Sequence, residues 1–145
     1  MPVVRNAQFN FKEGFSWNLI NGTRSSNNLK FRFAQASVND VGGMTLHALC
    51  NKVSSKYIVC IGNSDFVSRY TESYINFTVN FQVNDCRLIP LIIPNETELQ
   101  YFTELYNKAE KIRKNINNLS GNAQVAELEK LQKELNYAVN KLYKL

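Results

Sequence analysis

Histidine is almost missing from this 145-residue chain, with His47 the single example, and proline (three), cysteine (three) and glycine (six) are scarce. Each shortage removes a class of chemistry. One histidine and the absence of any CxxC pair leave no closely spaced zinc ligands. The glycines form neither GxGxxG nor GxxxxGK[ST], so no phosphate-cradling loop is recognisable. A Ser-His-Asp or Cys-His arrangement has only His47 to use, and it stands among apolar neighbours in Met44-Thr45-Leu46-His47-Ala48-Leu49. A lone histidine of that kind more often packs or faces water than catalyses. Carboxylates between Glu13 and Asp85 are few and no Glu-x-Lys occurs, so no self-contained catalytic apparatus, metal site or cofactor is expected. No apolar run approaches the ~18 residues of a membrane span, and the N-terminus lacks the apolar core of a secretion signal. Cys50, Cys60 and Cys86 then read as free thiols, and the expected location is the cytoplasm.

What is present is a globular composition, 44% hydrophobic and 20% charged, with a formal net charge of +5. The excess is localised. Residues 1–60 carry seven basic side chains (Arg5, Lys12, Arg24, Lys30, Arg32, Lys52, Lys56) and two acidic ones, Glu13 and Asp40, while the remainder is nearly neutral. A localised basic region is the electrostatic footprint of a polyanion binder.

Apolar residues before Pro94 fall in short runs: Ala7–Phe11, Leu29–Ala34, Lys56–Ile61, Ile75–Val83 and Leu88–Ile93. Alternation of Phe9 with Phe11, of Leu29, Phe31 and Phe33, and of Val79, Phe81 and Val83, with the aromatic and β-branched content of the runs, predicts half-buried strands. Asn21-Gly22 and Val41-Gly42-Gly43-Met44 read as turns, and Met44–Asn51 and Ser64–Tyr74 as short helices, the second capped by Asn63 or Ser64. Residues 1–94 are therefore expected to form a mixed α/β domain.

Beyond Pro94 the pattern becomes helical. Asn95 and Glu98 have the spacing of a capping box. Leu99, Phe102, Tyr106, Ala109, Ile112 and Ile116 form one stripe; Val125, Leu128, Leu131, Leu135, Ala138, Leu142 and Leu145 form another, with coiled-coil spacing from Leu128 onward. The short break around Gly121 predicts an antiparallel helical hairpin, 95–117 and 122–145, each arm about 30–36 Å long at ~1.5 Å per residue. Its apolar faces must pack together or dock on a partner, and a homodimer through residues 95–145 is one expectation. The fold class expected is α+β.

The richest constellation is Asn21-Gly22-Thr23-Arg24-Ser25-Ser26-Asn27-Asn28-Leu29-Lys30-Phe31-Arg32, which joins turn chemistry to three cations and short hydrogen-bonding side chains. Arginine pairs with guanine and asparagine with adenine, while serine and lysine reach phosphates. Arg24, Ser25, Asn27, Asn28, Lys30 and Arg32 are the candidate contacts, with Arg5, Lys12, Lys52 and Lys56 adding contacts to the phosphate backbone. The bland alternative is a solvated polar loop leading into a strand.

Two segments carry a family resemblance. Asn6-Ala7-Gln8-Phe9-Asn10-Phe11-Lys12-Glu13-Gly14-Phe15-Ser16-Trp17 resembles the (F/Y)KEG(I/F)(S/T)W opening of the C-terminal region of adenine-specific DNA methyltransferases from type II restriction-modification systems. Ile75-Asn76-Phe77-Thr78-Val79-Asn80-Phe81-Gln82-Val83-Asn84-Asp85 resembles their NFQ(V/I)xD signature, and Ile61-Gly62-Asn63-Ser64 a helix start before it. The exit through Leu88–Pro94 into a helix is similar to that of type I specificity subunits. The resemblance spans residues 5–94 and implies a target-recognition domain that reads double-stranded DNA. It implies mainly structural roles for Gly14, Trp17, Asn80, Phe81, Gln82 and Asp85, and specificity in residues 18–40. Such enzymes carry (N/D)PP(Y/F) and an S-adenosylmethionine loop, and this chain has no adjacent prolines. It is therefore expected to be a non-enzymatic recognition fragment, with the cofactor and the methyltransferase or endonuclease activity in another part of the parent protein. An oligomerisation module that makes no DNA contact is the alternative expectation.

Overall fold

The computed structural model describes residues 7–18, 30–37, 43–76, 78, 80–114 and 121–145. The architecture is α+β: a three-stranded antiparallel sheet, short helices, and two long C-terminal helices. β1 (Gly14–Asn18) is central, flanked by β2 (Arg32–Ala34) and β3 (Gly43–Leu46), in the order β2-β1-β3. Phe15 pairs with Phe33 on one side and with Leu46 on the other. Alternation along β1 sends Phe15 and Trp17 into the core, as period two requires. A Cβ on Gly14 would lie 2.5 Å from the Leu46 carbonyl oxygen, so the sheet closes only over glycine there.

Two apolar clusters share one helix. α1 (Ser55–Gly62) turns Val59 toward Phe15, Trp17, Phe31 and Phe81, and turns Tyr57, Cys60 and Ile61 toward Phe102, Leu105, Leu135 and Val139. A helix apolar on both sides reads as a continuous hydrophobic run, which is why Lys56–Ile61 looked like a strand. The cap decides it: the Ser54 hydroxyl oxygen accepts from the Tyr57 N–H at 3.1 Å. The opposite exchange occurs at Met44–Asn51, expected to be helical. Its first residues instead form β3, because Met44, Thr45 and Leu46 pair with β1.

Two other expected strands are also absent, and the described residues of a third, Ile75–Val83, form no strand. Ala7–Phe9 is a 3-10 turn, and Phe11 adopts φ 59° with its N–H on the Ser37 carbonyl, so the chain reverses before it can extend. Within Ile75–Val83, Ile75 ends a π-helical turn and Val83 begins α3 (Val83–Cys86). Leu88–Ile93 runs unpaired, held where the Tyr57 hydroxyl donates to the Ile92 carbonyl at 2.7 Å and the Tyr143 hydroxyl donates to the Pro90 carbonyl.

The helix expected over Ser64–Tyr74 is present in two pieces, α2 (Asp65–Tyr70) and a π-helical turn over Thr71–Ile75. Ser64 caps α2, accepting from the Val67 N–H while its hydroxyl donates to the Ile61 carbonyl. The wider π turn rotates later side chains off the buried face, so Val67 is buried and Tyr74 is exposed.

The capping box of Asn95 and Glu98 forms as expected, with reciprocal bonds of 2.9 and 2.8 Å starting α4 (Glu96–Lys114). α5 spans Gly121–Tyr143. Tyr101 bonds Glu134 and Gln124 bonds the Ile112 carbonyl, so contacts advance along α4 as they retreat along α5: the two run antiparallel. Leu135 is buried as expected, whereas Val125 and Leu145 at the ends of the stripe are exposed. Leu105 and Val139 are buried although neither stripe contained them. The buried faces are wider than a two-helix seam because α1 and α2 also pack on them. Asn136 of α5 shows this: its side chain accepts from the Asp65 N–H at 3.0 Å and donates to the Asp65 carboxylate at 2.7 Å.

Candidate nucleic-acid interface

The two resembling segments meet in the core. The Trp17 indole N–H donates to the Phe81 carbonyl at 2.9 Å, and the Trp17 ring meets Phe31 and Phe81 edge-on at 5.6 and 5.8 Å. Such packed, hydrogen-bonded aromatics are structural contacts. The neighbouring polar residues organise the turn. The Asn76 amide donates to the Asn80 carbonyl and to the Asp85 carboxylate, which also accepts from the Gln82 N–H at 2.7 Å. Asp85 thus caps α3.

Helix α1 and strand β2 are joined by Gly62 and Asn63. The Asn63 side chain accepts from the Phe31 N–H and donates to the Phe31 carbonyl, both at 2.8 Å, standing in for the missing next strand. The Phe31 ring lies where a Gly62 Cβ would be, 1.8 Å from its Cδ2. Phe31 is therefore locked, and so is the spacing of its neighbours Lys30 and Arg32, both exposed.

These two cations line a groove of about 770 Å³ between β2, α1, α4 and α5. Arg113 and Lys114, in the last turn of α4, line it too. The Lys56 ammonium lies 5.9 Å above the Phe33 ring and 5.3 Å above the Tyr106 ring, both groove-lining, and donates to Asn107 at 2.8 Å. Among the described residues, Glu110 is the one carboxylate lining the groove, 3.3 Å from Lys114, an exposed i,i+4 pair of small energy. The groove therefore carries a positive excess, felt over about a Debye length of 8 Å at physiological salt.

Of the sequence-predicted contacts, Lys30 and Arg32 line the groove, and Lys56 stands beside it, over the Phe33 and Tyr106 rings, without lining it. Lys12 and Lys52 do not line the groove. Lys12 sits 5.7 Å above Phe9, whose ring stacks at 5.2 Å on His47. The His47 Nδ1 is 3.0 Å from the Glu13 carbonyl, so this histidine is packed against β1's entry. Lys52 is exposed in the turn before α1. Arg5, Arg24, Ser25, Asn27 and Asn28 lie outside the described residues. Sequence reasoning passed over Arg113 and Lys114, since basic residues ending a helix are ordinary dipole partners and nothing marks these two out.

Cys60 lines the groove wall, its thiol donating to the Phe102 carbonyl at 3.4 Å, and burial pushes it up to about 12. It is a packing group rather than a nucleophile at neutral pH. Cys86 is likewise held at about 12 by burial, whereas Cys50 is exposed. Among the described residues, no cluster of His, Cys, Asp and Glu has a metal-holding arrangement, and no helix is long and apolar enough to cross a membrane. Comparison with protein-family models, with curated proteins and with solved structures finds no match to this chain.

Proposed function

We propose that this chain is a DNA-recognition module acting in the cytoplasm, the sequence-reading part of an adenine-specific restriction-modification methyltransferase whose catalytic groups and S-adenosylmethionine site reside elsewhere in the parent protein. One observation carries the reading: Lys30 and Arg32 of the basic N-terminal region share a groove with Arg113 and Lys114 of the helical hairpin. Cations from segments eighty residues apart in sequence converge on one face, which is how a protein builds a phosphate-binding surface. β2, which carries Arg32, lies within the 18–40 segment in which the resemblance puts specificity.

The oligomerisation reading has less behind it. Part of the apolar surface of the two helices is spent inside the chain, where Phe102, Leu105, Leu135 and Val139 pack in one cluster with α1.

Affinity for duplex DNA, measured by fluorescence anisotropy over a salt series, tests the proposal. If the four groove cations neutralise phosphates, log affinity falls against log salt with a slope of about −3 to −4, and Arg32→Ala or Arg113→Ala each makes the slope shallower by about one. Absence of duplex binding at low salt, or binding indifferent to salt, would overturn it.

A further inference from the structure

The groove that collects these cations has a floor unlike that of a phosphate track. Phe33, Tyr106, Ala109, Leu128, Leu131 and Leu135 line it, an apolar surface between a basic strand wall and a basic helix end. A DNA duplex presents phosphates and sugars outward and encloses its base faces, so it has nothing apolar to lay on such a floor. An unpaired strand does, with phosphates along one side and bases along the other.

We infer that the groove binds unpaired nucleotides, with bases on the apolar floor beside Phe33 and Tyr106 and phosphates held by Lys30, Arg32, Arg113 and Lys114. This rests on the reading that the chain binds DNA and names the form of DNA that this site takes. The dimensions agree. A groove of about 770 Å³ exceeds one nucleotide, within the ~300–1,000 Å³ usual for ligand sites. Lys30 and Arg32 stand two residues apart at the entry to β2 and both line the groove, so two cations lie next to each other along one wall. The Phe33 and Tyr106 rings lie 6.0 Å apart and tilted, with the Lys56 ammonium above both, the combination of aromatic platform and cation that sequence-tolerant single-strand sites use. Ala109 opens the floor: a larger side chain there would fill the space while leaving every cation in place.

The test uses the full chain with two probes, fluorescein-labelled oligo(dT) and a blunt duplex of matched length, in one low-salt buffer. Wild-type protein is expected to bind oligo(dT) more tightly than the duplex, and Ala109→Phe to weaken oligo(dT) binding about tenfold while changing duplex binding less than twofold. Should Ala109→Phe fail to fold by far-UV circular dichroism, Arg113→Glu replaces it, with the same oligo(dT) loss expected. Duplex binding without oligo(dT) binding, or oligo(dT) binding unchanged in the folded variants, overturns the groove assignment alone. Groove-dependent oligo(dT) binding without duplex binding overturns duplex recognition and upholds the groove. Binding of neither probe overturns both.

Discussion

Replacing Gly62 by alanine tests whether the basic strand is held as described. A Cβ there would lie 1.8 Å from Cδ2, 2.3 Å from Cε2 and 2.9 Å from Cγ of Phe31. The ring has little room to yield into, its groove edge being the open one: it is 4% exposed and packed edge-on against Phe15 at 5.7 Å, Trp17 at 5.6 Å and Phe81 at 6.3 Å. Overpacking of this kind costs about 3 kcal/mol, at the upper end of its usual range. Alanine's helix propensity returns at most ~1 kcal/mol, and less at the last residue of α1. The expected net loss is about 2 kcal/mol, a large share of the ~5–15 kcal/mol of an ordinary domain. Urea unfolding followed by circular dichroism should show the midpoint falling by about 1 M with the slope unchanged. In a Phe31→Ala background, itself less stable by about 3–5 kcal/mol, Gly62→Ala should cost nothing, because the obstruction is gone. The folded fraction of Gly62→Ala should also bind DNA more weakly, since a displaced Phe31 moves Lys30 and Arg32. A Gly62→Ala protein as stable as wild type would refute the packing of Phe31 on α1.

Asn63→Ala removes both bonds to the Phe31 backbone and should lower unfolding free energy by about 2 kcal/mol in the same urea assay; Asn63→Asp, which keeps an acceptor but no donor, should recover only part of that. Iodoacetamide at neutral pH should alkylate Cys50 rapidly and leave Cys60 and Cys86 unmodified until denaturant is added, read by intact mass; equal rates at all three would contradict their burial. Cys60 and Cys86 are held neutral, at about 12 rather than 9.0, so their contribution to stability is complete below about pH 9 and is lost as the pH climbs toward 12. Urea midpoints should therefore fall in that alkaline window, and less steeply in Cys60→Ala.

The candidate site was half legible. Lys30 and Arg32 stood out because they end a stretch of turn-forming and hydrogen-bonding residues that holds three cations, and Lys56 because the first 60 residues are so poor in acid. Arg113 and Lys114 were invisible, as was the apolar floor, because Ala109, Leu128 and Leu131 look like any helix stripe until something fails to cover them. Capping chemistry was more dependable than strand patterning. Ser64, and Asn95 with Glu98, act where local spacing places them, because a cap is satisfied within three residues. Lys56–Ile61 and Met44–Leu46 exchanged helix for strand because their neighbours lie far along the chain.

By itself the sequence determined an α+β chain ending in an antiparallel helical hairpin, with its positive charge gathered at the N-terminal end; composition, capping and helical periodicity are local properties, and they suffice for that. Only the tertiary structure decided that α1 serves two cores at once, that Asn63 completes the edge of β2, and that cations from the first and last parts of the chain face one apolar-floored groove. The physical reason is sequence distance: a groove is made of surfaces left uncovered after distant segments pack, and no local pattern records what remains uncovered.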